Sequence, residues 1–385
     1  MGEADALPTP PPPPAGMAHS IAYLFGSSVV FRLLGFLPAI LLRRILGPTL
    51  TGVWNLIDLV KSYLSAVTLG VGYSCDRLIP LHRARGDAAA ERACRDTLFS
   101  WTLVESALLG AGVWVYAALF GSRHEESVRL GLWALPVLFL AHRIFSAQLG
   151  VLRGMKRFRF YSIAQAALGL LEWCLLPFAY FWGFPGLVAG AAVLGLLKIL
   201  GVALAGSRGE DAISFRWRWG GLREHLPYAP THAVFKALWM ASERVDSLVV
   251  ASLLGTGALG YYYLGFQFSR MALEAPMALV YVTFPNLMEK LSTSSEEELA
   301  GEFRRYLWVD LCAILPLVLP LGYFGGEFVV RRFLPAFGPG IAALKISMMG
   351  VAVLAIRLLY YQVFMARGRM GRLIVITRVQ VPVFV

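Results

Sequence analysis

Charge is what this sequence has least of. Asp, Glu, Lys and Arg make up 15% of its 385 residues, and 57% are hydrophobic. Soluble domains carry about 25% charged residues, so an ordinary soluble enzyme and an extended disordered chain are both excluded. Cysteine is scarce too. Cys75, Cys94, Cys174 and Cys312 are scattered, with no C-x-x-C and no Cys/His grouping along the chain, so spacing implies neither disulfides nor a metal site. The six histidines lie far apart. Walker A, H-E-x-x-H and G-x-S-x-G motifs are missing, which leaves no catalytic constellation and no cofactor motif. "GTGALG" (255–260) is a literal G-x-G-x-x-G, but it joins two apolar runs instead of following a strand. It reads as a tight reversal between helices, not a nucleotide loop.

Long apolar runs are abundant. Ten are long enough to cross a bilayer, near 19–42, 53–75, 98–120, 128–150, 160–182, 186–206, 230–254, 258–285, 305–325 and 341–365; an eleventh begins near Leu373 and stops at Val385. Short alternating segments, the mark of a barrel, are missing. The pattern predicts an all-α polytopic membrane protein. Residues 1–17 are Pro-rich and read as a disordered tail. The first run follows no basic n-region or cleavage site and reads as a retained span.

The net charge of +11 would suggest nucleic acid in a soluble protein. Here it reads as topology. With the N-terminus in the cytoplasm, the inner connections hold 19 Lys and Arg, and the outer ones hold six: Arg43, Arg44, Arg123, Arg129, Arg331 and Arg332. That asymmetry predicts a plasma-membrane protein with a cytoplasmic N-terminus. The polar stretch 207–229, with "RWRW" at 216–219, reads as an interfacial linker and not as a nucleic-acid site.

The linker separates two related halves. Leu46, Gly47 and Gly52 recur as Leu254, Gly255 and Gly260, 208 residues on; Pro80 recurs as Pro285, and Arg153-Gly154 as Arg367-Gly368. Ordered landmarks at near-constant spacing indicate a tandem repeat. Six spans lie between corresponding points, so the copies run parallel and a central cavity is expected between them. The division is an N-terminal six-helix bundle (18–206), the linker (207–229) and a C-terminal bundle (230–385). By the repeat arithmetic the second bundle is incomplete, ending at the counterpart of Leu171.

The spans are apolar but not free of charge. Buried ionisable residues in membrane helices are functional candidates by default. Cations are Arg32, Lys61, Arg244, Arg270 and Arg357; Glu105, Glu172, Glu243, Asp246 and Glu274 can balance them or couple an ion. Asp58 and Lys61, and Arg270 and Glu274, can pair along one helix. His142, Arg143, Lys198 and Asp310 sit near span ends, where snorkelling accounts for them. On a helical wheel of 236–255, Lys236, Glu243, Arg244, Asp246 and Ser247 fall within about 160°, opposite Val245, Leu248 and Val249. Such a helix needs a polar space inside the protein.

Four stretches carry a resemblance: "LGPTLTG", "GVGYSCDRLIPLHRARGDAAAERA", "ERVDSLVVASLLGTGALGYYYLG" and "FPNLMEKLSTSSEEELAGEFRRY". Over residues 18–385 the chain resembles the Wzx-type polysaccharide flippases of the multidrug/oligosaccharidyl-lipid/polysaccharide exporter superfamily. The resemblance implies two six-helix bundles around a cavity open alternately to each side. It also implies movement of polyprenyl-diphosphate-linked oligosaccharide to the outer leaflet, without catalysis, alongside other glycan-assembly membrane proteins. The MurJ branch, which moves a peptidoglycan lipid precursor, and the drug-efflux branch are the alternatives within it. A membrane polymerase or ligase of the same glycans would be expected to carry a larger outer loop.

Overall fold

In the computed structural model the described residues are 16–366, apart from 69, 156, 207–220, 227–228, 278 and 281–294. Residues 1–15, the Arg-Trp stretch, Pro285, the second Arg-Gly pair and the expected eleventh span therefore lie outside them. The described residues form helices, with no strand among them. In the first half these are α1 (Gly16–Ala66), α2 (Val71–Ala84), α3 (Ala88–Phe120), α4 (Glu126–Gly154), α5 (Phe158–Glu172) and α6 (Leu175–Gly206). A short α7 (Leu222–His225) precedes α8 (Ala229–Ala272), α9 (Glu296–Val309), α10 (Leu315–Pro320), α11 (Gly326–Phe333) and α12 (Ile341–Ala366).

Three of these helices double back. Gly47 in α1 (φ 70, ψ 178), Gly183 in α6 (φ 62, ψ −145) and Gly255 in α8 (φ 83, ψ −178) are non-helical. They occupy backbone space that only glycine enters readily. The reversal in α8 follows from a distance. Arg244 and Tyr263, nineteen residues apart, bond at 2.5 Å, where a straight helix would hold them about 28 Å apart. In α6, Gly190 packs on the Phe178 ring across Gly183. Seven described helices are long and apolar enough to cross a membrane. Counting the three hairpins as two arms each gives ten crossings, with α5 and the short first arm of α6 sharing the fifth.

The repeat landmarks have a physical role. Gly47 and Gly255 are the two equivalent reversals. Gly52 and Gly260 are where the hairpins meet: a Cβ on Gly52 would land on the Thr256 carbonyl, and one on Gly260 on the Pro48 carbonyl. Pro48 and Thr256 are themselves 208 apart, so each hairpin packs its glycine on the other's first turn. Small residues permit this backbone approach in membranes.

The second span differs from the expectation. It ends at Ala66, and after a break at Gly70 (φ 76) a separate helix α2 begins. Val71, Cys75, Leu78, Ile79 and His82 of α2 are buried; their helical spacing forms one face against α3 and α4. Asp87 caps α3, accepting the Ala90 amide at 2.9 Å, and Ser295 and Glu298 form a capping box on α9. The ninth span runs through α9, α10 and α11 with π-helical turns at Asp310–Ile314 and Leu321–Gly325. Pro316 and Pro320 each withhold an amide from that ladder. The core of the second half joins α8 to α10, α11 and α12 and takes in Ile40 of α1. Outward-facing Leu253, Leu254, Leu317 and Leu321 stay exposed, as lipid-facing side chains do.

Candidate functional site

The polar face of α8 meets α1. Arg244 Nη1 donates to Tyr263 Oη at 2.5 Å, and Tyr263 Oη donates to Asp58 Oδ2 at 3.0 Å. Lys61 holds the other Asp58 oxygen at 2.9 Å, and Arg244 Nη2 stands 4.0 Å from Oδ2. Asp58 thus collects a phenol and two cations from three helical arms. Two turns beyond Tyr263, Arg270 pairs with Glu243 at 2.5 Å. The Phe266 ring lies between the two arginines, 4.6 Å from the Arg244 guanidinium carbon and 5.3 Å from that of Arg270. Cations over an aromatic face are attracted by its quadrupole. Asp246 accepts from Tyr262 Oη and, at 2.6 Å, from the Ser247 amide.

Beside this network a cavity of about 300 Å³ opens between α1 and the second arm of α8. Arg43, Thr51, Asn55, Asp58, Gln267 and Arg270 are its polar lining; Trp54, Tyr263 and Phe266 supply aromatic wall. Two arginines face one carboxylate, so the lining is net positive. Arg43 was expected in an outer connection; instead it is 6% exposed. Its Nη1 donates to the Ala39 carbonyl at 3.1 Å and its Nη2 to Gln267 Oε1. Its Nε, like that of Arg244, is buried without an acceptor among the described residues. The sequence signal for Arg43 is its place one turn before the Gly47 reversal, on the same face as Ala39 and Leu46.

The other expected site residues divide plainly. Arg270 lines the cavity; Arg244, Lys61 and Glu243 stand directly behind the lining as partners of Asp58 and Arg270. Arg357 lies elsewhere, stacked on Trp239 and Tyr361 at 5.0 and 5.4 Å. Arg143 donates to Glu105 at 3.0 Å between α3 and α4, so Arg143 is a half-buried partner and not a snorkelling end residue. Glu172 lies against Gly35 of α1. Glu274 follows α8, half-buried, outside the cavity lining. The Arg32 side chain falls outside the described residues. Asp310 contradicts the snorkelling expectation: it is fully buried, and neither carboxylate oxygen has a hydrogen-bond partner among the described residues. A second correction concerns cysteine. Folding brings Cys75, Cys94 and His225 together although they are far apart in sequence.

Comparisons agree on where this architecture belongs. A curated relative, the probable flippase AglR of Haloferax volcanii, is 22% identical over 219 residues, covering 54% of this chain and 43% of that protein. The chain thus spans less than half the length of that relative. Among solved structures, an inward-facing MATE-family multidrug resistance transporter of the MOP superfamily superposes with a TM-score of 0.74 at 15% identity, covering 92% of this chain and 83% of the other. A MOP-superfamily transporter from Pyrococcus furiosus gives 0.65 at 16% identity, covering 93% and 84%. The family described as polysaccharide biosynthesis protein matches residues 86–334. On that match, spanning well over half its length, the chain belongs to the polysaccharide biosynthesis protein family and is built on the helical fold of the MOP-superfamily transporters.

Proposed function

We propose that this multi-pass membrane protein moves a polyprenyl-diphosphate-linked oligosaccharide from the cytoplasmic to the outer leaflet of the plasma membrane, by rocking its two halves about the α1–α8 contact. The observation that carries the reading is the net-positive, aromatic-walled cavity between those hairpins. A diphosphate cannot cross about 30 Å of hydrocarbon unaided. Arginine replaces its hydration with forked hydrogen bonds, and the aromatic wall suits sugar faces. Arg43 and Arg270 in the lining favour an oxygen-rich anion. A cationic drug would be repelled by such a lining, which weighs against the drug-efflux alternative. A peptidoglycan lipid precursor shares the diphosphate, and the same cations would serve it. At about 300 Å³ the cavity is sized for the diphosphate and the first sugar, and the rest of the glycan requires the halves to part. Glu243, Asp246 and Asp58 offset part of the positive charge of the empty site but leave it net positive, and the polyprenyl chain stays in lipid.

The test is surface glycan in a strain lacking its own flippase, measured with protein abundance. Arg270→Gln should insert normally and lose most export. Arg270→Lys should insert normally and export poorly, since it keeps charge but loses the fork. Full export by both variants would sink the reading.

A further inference from the structure

Outside the cavity, three buried ligand-type side chains converge at the linker end of the first half. Cys75 of α2, Cys94 of α3 and His225 of α7 are 1%, 2% and 0% exposed. The two Sγ atoms are 3.4 Å apart, and Cys75 Sγ lies 3.9 Å from His225 Nδ1. One ligand atom from each lies within 4.8 Å of the other two. We propose that Cys75, Cys94 and His225 form a Zn²⁺ site that fastens the linker segment to the first bundle.

Geometry is the first argument. Zn–S bonds of about 2.3 Å and Zn–N bonds of about 2.0–2.1 Å in a tetrahedron place neighbouring ligand atoms about 3.5–3.8 Å apart. The Sγ–Sγ edge of 3.4 Å and the Sγ–Nδ1 edge of 3.9 Å are each within about 0.4 Å of the tetrahedral value, and the third edge is at most 4.8 Å, so small side-chain adjustments close the site on an ion. The 3.4 Å between the two sulfurs is far beyond a disulfide's roughly 2.05 Å, so no bond joins them. Charge is the second argument. Binding displaces two thiol protons to solvent, and two thiolates with one Zn²⁺ sum to zero, so the occupied site carries no net charge into a buried place. Two thiolates and an imidazole suit zinc, whereas hard ions want oxygen; the fourth position is left to water.

Placement is the third argument. α7 lies in the stretch joining the halves and grips the first bundle at two further points. Glu224 Oε1 meets His82 Nε2 at 2.9 Å, and His82 follows Cys75 by two turns on the same face of α2. A Cβ on Gly221 would run into the Thr97 side chain of α3. A metal here would tie the start of the second half to α2 and α3. Because the ligands must assemble, ion binding would add to folded-state stability.

The experiment uses the detergent-purified full chain, reduced, with Zn²⁺ or Co²⁺ alone as probe. Expected are one equivalent of bound Zn²⁺, a thiolate-to-cobalt charge-transfer band with Co²⁺, and a rise in melting temperature with Zn²⁺. All three should fall to background in the Cys75→Ser/Cys94→Ser double variant, and the cobalt band should weaken or shift in His225→Gln. The exposed pair Cys174→Ser/Cys312→Ser should keep all three. The cobalt band on the unaltered chain needs no variant to fold. No stoichiometric zinc in the unaltered chain, or zinc retained by the double cysteine variant, would overturn the proposal.

Discussion

Tyr263 is the residue on which the site's charges turn. Its hydroxyl receives from Arg244 and donates to Asp58, so one oxygen joins a cation of the second half to an anion of the first. Hydrogen bonds to charged groups contribute about 1.5–3 kcal/mol each. Tyr263→Phe removes both and should therefore lower stability by about 3–6 kcal/mol while leaving the ring over which Arg244 sits. A melting curve unchanged by Tyr263→Phe would show the bridge to be absent in the membrane protein. Asp310 makes the opposite case. A buried carboxylate without a described partner is costly when ionised, so Asp310→Asn should match or exceed the parent in melting temperature. A sharp loss of stability would mean that the carboxylate is held by an unseen partner.

Some of this was legible residue by residue, and some was not. The wheel of 236–255 placed Glu243, Arg244 and Asp246 on one polar face, and Ser247 is indeed fully buried while Leu248 is exposed. Helical period shows which residues share a face, but not what stands opposite. Pairing of Arg270 along its own helix with Glu274 was therefore the visible alternative to a cavity role, while its contact across the hairpin with Glu243 was not visible. Arg43 was assigned to a connection because it adjoins a turn, yet the turn at Gly47 needs a single residue, which leaves Arg43 inside. Cys94 and His225 lie 19 and 150 residues from Cys75, beyond any spacing motif.

At the scale of elements, the hairpins rest on glycines with two distinct duties. Gly47 and Gly255 supply backbone angles, with open space around the missing Cβ. Gly52 and Gly260 supply room. Gly255→Ala should cost about 1–3 kcal/mol from backbone strain. Gly52→Ala drives a methyl into the Thr256 carbonyl, which cannot rotate aside, and should cost about 3 kcal/mol or more. Gly301 of α9 faces open space; Gly301→Ala should gain about 0.5–1 kcal/mol. Thermal unfolding in detergent orders the three, and a Gly52→Ala protein as stable as Gly301→Ala would refute the α1–α8 crossing. The reversals at Gly47 and Gly255 were readable because the repeat marks them twice; the crossing at Gly52 and Gly260 was not, since a landmark shows no partner. The break at Gly70 was not, since Val71–Cys75 prolongs the apolar run until the charges of Asp76 and Arg77 end it.

For the whole molecule, orientation follows from basic residues. With Arg43 and Arg95 both buried, the expected asymmetry of 19 to six becomes 18 to five and keeps its sign. We expect Arg85 and Arg157 on the cytoplasmic side and Arg123 outside. Single cysteines at these positions, probed with an impermeant reagent on intact cells, check it; labelling at position 85 would invert the topology. On the proposed function the α1–α8 contact is the pivot between the two halves, with the cationic cavity beside it. The central claim is that this cavity carries a diphosphate-linked glycan across the bilayer. Its most direct measurement places the purified chain in liposomes with a lipid-linked diphosphate oligosaccharide in both leaflets and follows loss of inner-leaflet glycan to an external, impermeant glycosidase. The account predicts that the protein exposes the inner pool, and that Arg270→Gln slows this at least about tenfold, the equivalent of 1.4 kcal/mol. Inner-leaflet glycan as protected as in protein-free liposomes would contradict it.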